Sequence, residues 1–163
     1  MSLYEKACQM NQFVGIEHMK KAETDLSEEE KKKSDTKGFY KGVFSDDVIQ
    51  MVIDGKIGSF LHVLTAEEAN YLQELAYQST LKIPLLIAID AIHGNALYKG
   101  ATVYPSPIAI ASTWDETNSY DVGKQTAFEM RLTGSHWALT PNIDVMRDAR
   151  WGRVGETFGD CLL

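Results

Sequence analysis

Pro84–Asp90 reads PLLIAID, a continuous run of branched apolar residues that ends on a carboxylate. A strand with one wet face alternates polar and apolar residues, whereas a strand covered on both faces has no reason to alternate, and such runs belong to parallel sheets flanked by helices. The run is of strand length and too short for a helix of ordinary size. It predicts a buried parallel strand with Asp90 delivered at its C-terminal end.

The neighbouring segments fit that frame. Upstream, Ile57–Leu64 (IGSFLHVL) is short, apolar and bounded by glycine, which predicts another buried strand. Thr65 with Glu68 forms a capping box for a helix whose apolar face is Ala69, Leu72, Leu75 and Ala76 and which runs to about Gln78. Downstream, residues 91–107 form a long loop punctuated by glycine and proline. Asp115 caps a helix through Tyr120, Ala127 and Met130 to about Leu132, and Gly134 stops it. His136–Thr140 then begins a third buried strand, which Pro141 ends by withdrawing a backbone donor. Strand, helix, strand, helix, strand is the order of parallel βαβ units, so the fold class is α/β. Barrels and open doubly wound sheets of this class both place ligands beyond the C-terminal ends of their strands. No glycine-rich phosphate fingerprint follows any of the three strands, which disfavours the nucleotide-binding versions.

Toward the N-terminus, Leu3, Ala7, Met10, Phe13 and Val14 recur at helical spacing and predict an opening helix that ends near Gly15. Residues 17–41 are strongly polar, with the run EEEKKK, and read as a solvated insertion, helical in part, in which Ser27 and Glu30 supply a capping box. Ser45 as N-cap, with Asp46 and Asp47 in the first turn, starts a short helix carrying Val48, Ile49, Met51 and Val52, and Gly55 gives it a left-handed stop.

The chain has 163 residues, 44% of them hydrophobic, which suits one ordinary globular domain. Its formal charge of -7 argues against nucleic acid or an anionic membrane surface as the main partner. There is no apolar run of membrane-spanning length, and the first residues, MSLYEKACQM, lack the apolar core of a secretion signal. Cys8 and Cys161 stand far apart without metal-ligand spacing. No metal or cofactor is expected.

The chemistry concentrates in two places. Thr140–Gly159, TPNIDVMRDARWGRVGETFG, carries Asp144, Arg147, Asp148, Arg150, Arg153 and Glu156 around Trp151. Charges at that density stay unburied unless they pair or grip a polar ligand. Fixed guanidinium forks beside a flat indole suit a polyhydroxylated ring, a phosphate or a carboxylate; the competing reading is an ion-paired loop that braces the end of a barrel. The second place is Asp90-Ala-Ile-His93-Gly94, where a carboxylate at a strand end could accept hydrogen bonds from adjacent sugar hydroxyls. Asp90 and His93 as metal ligands would lack a clear third partner, and His93 as a purely structural residue would only hydrogen-bond its own loop. His136 and Trp137 read as core or loop-base residues, His18 and His62 as structural or solvated, and the methionines as packing.

Three stretches in order, IPLLIAIDAIHG, GATVYPSPIAIASTWD and PNIDVMRDARWGRVGETFG, resemble the N-terminal catalytic domain of glycoside hydrolase family 3, which includes β-glucosidases, β-xylosidases and exo-acting β-glucanases. YEKACQM and DGKIGSFLHV extend the likeness over nearly the whole chain apart from the polar insertion. The resemblance implies a (β/α)8 barrel of TIM type, of which residues 1–163 would be an incomplete N-terminal part, since such a barrel needs roughly 250 residues. It implies a retaining exo-β-glycosidase, β-glucosidase-like, acting on terminal β-linked sugars, periplasmic or secreted. By position, Asp90 matches the family's aspartate that binds sugar hydroxyls and Arg153 the arginine of the RWGR motif that grips the same sugar. His93, Arg150, Trp151 and Glu156 are the supporting candidates. The family's aspartate nucleophile, its acid/base and a lysine-histidine pair would lie beyond Leu163, so the expectation is a chain inactive alone and prone to self-association through its open sheet edge. The family pattern departs at Asp160, Cys161, Leu162 and Leu163, which suggests truncation. A non-catalytic sugar-binding or assembly role is the alternative.

Overall fold

The computed structural model describes residues 1–24, 40 and 42–159, and the capping box expected at Ser27 and Glu30 lies outside them. The chain divides into two compact units, Met1–Ala88 and Ile89–Leu163.

In the first unit, helix α1 (Leu3–Cys8) is started by a reciprocal cap: Ser2 Oγ accepts from the Glu5 amide at 3.2 Å, and Glu5 Oε2 accepts from the Ser2 amide at 2.6 Å. The helix does not continue to Gly15 as its apolar spacing suggests. Met10 is exposed, and Gln12–Val14 is instead a strand, β1. Local polar contacts account for the change. The Gln9 side chain donates to the Gly55 carbonyl at 3.1 Å and that of Asn11 to the Lys56 carbonyl at 2.9 Å, while the Asn11 carbonyl accepts from the amides of Gly58 and Ser59. The segment is thereby drawn alongside β2 (Ser59–Leu61), where aromatic Phe13 and β-branched Val14 suit a pleated surface. The approach is close enough that a Cβ on Gly58 would stand 1.9 Å from the Gln9 carbonyl oxygen.

β1 and β2 are parallel, with Gln12 opposite Ser59 and Val14 opposite Leu61; β2 pairs in turn with β3 (Leu86–Ile89), also parallel, from Ser59 opposite Leu86 to Leu61 opposite Ala88. Leu85, Ile87, Ala88 and Ile89 are buried as the PLLIAID run requires, although Leu86 is exposed. Helix α2 (Ile16–Thr24) begins just before the stretch read as a solvated insertion, helical in part, and covers its first residues, where Met19 is buried. Helix α3 (Ser45–Ile53) takes Phe44, not Ser45, as its N-cap: Asp47 accepts from the Phe44 amide at 2.9 Å, while the amide and hydroxyl of Ser45 both donate to Glu23. Gly55 follows at φ +70, the left-handed stop its position predicts.

Helix α4 (Ala66–Gln78) holds half of the expected capping box. Thr65 Oγ1 accepts from the Glu68 amide at 3.1 Å, but the Glu68 carboxylate turns away and accepts from the Glu17 amide at 3.0 Å, at the start of α2. Gln73 clasps the approach to β3, donating to the Leu85 carbonyl and accepting from the Leu85 amide, each at 2.9 Å. Val14, Met19, Val48, Val52, Phe60, Leu72, Leu75 and Ile87 are among the residues that close the core between these helices and the sheet.

In the second unit, Ile89 is the last residue of β3, and a long irregular segment leads to the short helix α5 (Pro107–Ala111), which has proline in its first turn. Asp115 Oδ1 accepts from the Thr117 amide at 3.0 Å and starts α6 (Glu116–Leu132), and Gly134 at φ +87 ends it, both as the sequence predicts. Strand β4 (Trp137–Ala138) is placed by the Leu139 amide, which donates to the Ile89 carbonyl at 2.9 Å. Of the buried strand expected at His136–Thr140, His136, Trp137 and Ala138 are exposed instead, and Leu139 and Thr140 are half-buried. Among the described residues no further strand lies beyond β4 to cover it. A single 3-10 turn, Val154–Glu156, completes the described secondary structure. Among the described residues no helix is long and apolar enough to cross a membrane.

Candidate functional site

The candidate site is built within the second unit from two loops. The first begins where β3 ends, so that Asp90 follows the buried Ile89 directly. The chain then turns sharply: Ala91 adopts φ +49 and Gly94 φ +95. A Cβ on Gly94 would come within 2.4 Å of the Thr102 carbonyl oxygen, so both the backbone angle and the space demand glycine there. The His93 carbonyl accepts from the Tyr104 amide at 2.9 Å, tying the outgoing and returning arms of the loop together. Next to the turn, Asn95 is fully buried, and its amide donates to Thr133 Oγ1 at 3.0 Å, near the end of α6. On the returning arm, Thr102 donates its amide and its hydroxyl to the Glu129 carboxylate of α6, with shortest distances of 3.1 and 2.7 Å.

The second loop is Asn142–Gly159, closed at its base by a parallel bridge between Asn142 and Thr157 and by the Met146 amide donating to the Gly159 carbonyl at 3.1 Å. Thr157 at the base is fully buried. Farther out, Asp148 accepts from the Arg150 amide at 2.9 Å and meets the Arg150 guanidinium through both Nε and Nη2. The Arg150 side chain is 91% exposed, and its partnership holds the Asp148 carboxyl below the usual range. Trp151 follows, exposed, its amide donating to the Asp148 carbonyl.

Arg153 occupies different surroundings. Its Nε donates to Glu156 Oε2 at 2.6 Å, and the same oxygen accepts from Asn142 Nδ2 at 3.0 Å. The Arg153 guanidinium is the chief reason the Glu156 carboxyl lies below its ordinary range, with smaller help from Asn142 and from the nearby His93. Glu156 in turn is the chief cause of the raised Arg153 pKa, and Asp90 and Asp144 add to it. Asp90, His93, Asp144, Arg153 and Glu156 therefore share one electrostatic neighbourhood, contributed by the end of β3 and the Asn142–Gly159 loop. Arg150 is engaged by Asp148 instead.

Such a neighbourhood offers a carboxylate acceptor, Asp90, and a guanidinium donor, Arg153, oriented by a second carboxylate. It can bind a neutral polyhydroxylated molecule by accepting from some hydroxyls and donating to others. Among the described residues no group of three His, Cys, Asp or Glu side chains is disposed to hold a metal ion. A separate open cleft of about 830 Å³ lies between α5, the start of α6, Met146 and Phe158, with Trp114 and Asp115 on its wall; none of Asp90, His93 or Arg153 lines it. Asn142, Asn95, Thr102, Thr133 and Glu129 escape a reading of the sequence, because each looks like an ordinary polar residue until its distant partner is known.

Comparison with known proteins supplies the relatives. Residues 3–161 match the model of the glycosyl hydrolase family 3 N terminal domain. A periplasmic beta-glucosidase of Salmonella typhimurium is 34% identical over 112 residues, which is 68% of this chain and 14% of that protein. A beta-xylosidase of Formosa agariphila is 36% identical over 115 residues, 66% of this chain and 16% of that protein. Among solved structures, a β-glucosidase involved in saponin metabolism from intestinal bacteria superposes with a TM-score of 0.68 at 31% identity, over 97% of this chain and 17% of that one. An exo-1,3/1,4-β-glucanase from a Pseudoalteromonas species gives a TM-score of 0.69 at 26% identity, over 97% of this chain and 18% of that one. The chain thus spans about a fifth or less of the length of these relatives.

Proposed function

The chain belongs to glycosyl hydrolase family 3 through its N-terminal domain, and from that premise we propose that it supplies the sugar-gripping part of a retaining exo-β-glycosidase, with Asp90 and Arg153 as its binding residues. The observation that carries this reading is the shared electrostatic field of Asp90, which directly follows β3, and Arg153, from the Asn142–Gly159 loop that follows β4. Asp90 accepts hydrogen bonds from the hydroxyls of a terminal β-linked sugar. Arg153, one edge of its guanidinium engaged by Glu156, donates to the same ring from the other. Arg153 itself is the main reason Glu156 stays ionised, Asn142 and His93 adding smaller support, and the shared oxygen of Glu156 ties Arg153 to Asn142.

Hydrolysis with retention needs two carboxyl groups in unlike states, an ionised nucleophile and a protonated acid. Asp148 and Glu156 do not suit the acid, since Arg150 and Arg153 hold both below the ordinary carboxyl range. In this proposal they orient arginines, and the nucleophile and acid come from elsewhere in the protein. The relatives named for glucosides, xylosides and glucans share this part of the fold, so the choice among those sugars belongs to residues outside the Asp90–Arg153 pair.

The test is made in full-length protein with 4-nitrophenyl β-D-glucoside and the corresponding xyloside. Loss of two charge-assisted hydrogen bonds in Asp90→Ala is worth about 3 kcal/mol or more, so kcat/KM should fall a hundredfold or more at an unchanged Tm. Arg153→Lys keeps the charge and loses the planar fork, and should chiefly raise KM. If Asp90→Ala turns over either substrate at the wild-type rate, the acids and arginines only brace their loops and the proposal fails.

A further inference from the structure

The loop that presents Asp90 and His93 is held by α6 at two points of different character. At the buried end, Asn95 donates to Thr133 Oγ1, and Thr133 is itself locked by its own hydroxyl to the carbonyls of Glu129 and Met130 at 3.1 and 3.0 Å. At the open end, one turn earlier on the helix, the Glu129 carboxylate accepts both donors of Thr102. A carboxylate that receives an amide and a hydroxyl from one residue fixes that residue's backbone as well as its side chain.

From Thr102 the constraint passes to the site in two short steps. The Thr102 carbonyl is the atom that lies against Gly94, at the 2.4 Å that a Cβ there would meet, and Tyr104, two residues on, donates its amide to the His93 carbonyl. His93 and Gly94 therefore have their depth set by the returning arm, and Asp90 begins the same turn. From this we infer that Glu129 is a positioning residue for the sugar-binding loop: it touches no substrate, and by clamping Thr102 it sets where His93 and Asp90 stand. The inference rests on the reading of Asp90 as a sugar ligand. It also gives a role to an acid that looks like one more solvated charge on an amphipathic helix.

The clamp lies at the open end of the loop, so its loss frees the loop without emptying a core. The experiment uses full-length protein and measures the Kd of 1-deoxynojirimycin, a polyhydroxylated glucose mimic, together with Tm, for the wild type and for Asp90→Ala, Glu129→Ala, Glu129→Gln and Thr102→Val. Glu129→Ala should weaken binding roughly tenfold, the scale expected when a binding group is misplaced by a fraction of an ångström, with Tm little changed. Glu129→Gln, whose amide oxygen can still accept from Thr102, should restore most of the affinity, and Thr102→Val should fall between the two. Wild-type affinity in Glu129→Ala, with Asp90→Ala defective, would overturn the positioning role and leave the sugar site standing. A fall in Tm that Gln does not rescue would make Glu129 merely structural, and overturn it equally. No binding by the wild type, or binding indifferent to Asp90→Ala, would remove the sugar site and this inference with it.

Discussion

The two units of the chain are held by different means. In Met1–Ala88 the helices and the first strands close over an apolar interior of Phe60, Leu72, Val48, Val52 and Ile87, all but sealed from water. In Ile89–Leu163 the buried apolar cluster among the described residues is Ile89, Ala91 and Met130, while Asn95, Thr126, Thr133, Ser135 and Thr157 are buried as well. The first unit is a framework whose order comes from packing. The second sets long loops against α6 and ties them with named hydrogen bonds, and it is the one that carries Asp90 and Arg153. Directional bonds hold groups in chosen orientations, which a binding site needs, and apolar packing supplies more stability per residue, which a framework needs.

The contrast can be broken most decisively at Phe60. Its side chain has no exposed surface, and Phe60→Ala should cost about 3–5 kcal/mol by lost transfer and cavity terms, read as a lowered denaturation midpoint with unchanged slope. Asn95→Ala in the second unit should cost less, about 1–3 kcal/mol, because it removes one buried hydrogen bond and leaves Thr133 its own backbone partners. A loss at Asn95 as large as that at Phe60 would show that the second unit is no less dependent on its interior than the first.

The smallest expected effect sharpens the contrast at its exception. Glu68 is a buried carboxyl inside the apolar unit, and burial pushes its pKa up, with the Glu17 charge adding to the rise and the hydrogen bond from the Glu17 amide opposing it. The folded chain therefore binds this proton more tightly than the unfolded chain does. Stability from this group is fully present below the ordinary carboxyl value and is lost as pH rises through the raised one. Glu68→Gln, whose amide oxygen can still accept from Glu17, should flatten that decline in a series of melts from acid to neutral pH. An unchanged slope would show that Glu68 is ionised in the fold without penalty.

What could be read in the sequence follows the same division. β3, α4 and α6 were legible because each is a run long enough to show its character, with PLLIAID unbroken and Asp115 and Gly134 marking the limits of α6. β1 was hidden because three residues cannot display a period, and Phe13 and Val14 happen to continue the helical spacing of Leu3 and Ala7. The exposure of Trp137 was invisible for another reason: an apolar strand reads the same whether or not a neighbour covers it. In the site, Asp90 and the arginine-rich loop were legible by composition. The clamp on Thr102 was not, since Glu129 stands 27 residues away and nothing in either residue names the other.

Tyr40 stands 26 residues from Val14 in the sequence, yet its hydroxyl accepts from the Val14 amide at 2.8 Å and its ring packs against Phe13. Alternate amides of a strand address opposite edges, and the Gly15 amide already addresses Leu61 of β2. The Val14 amide therefore faces the outer edge of β1, where another chain could add itself as a new strand. A phenol in that place acts as a stopper: it satisfies the donor without offering a backbone to extend, so an incoming strand finds its docking point taken.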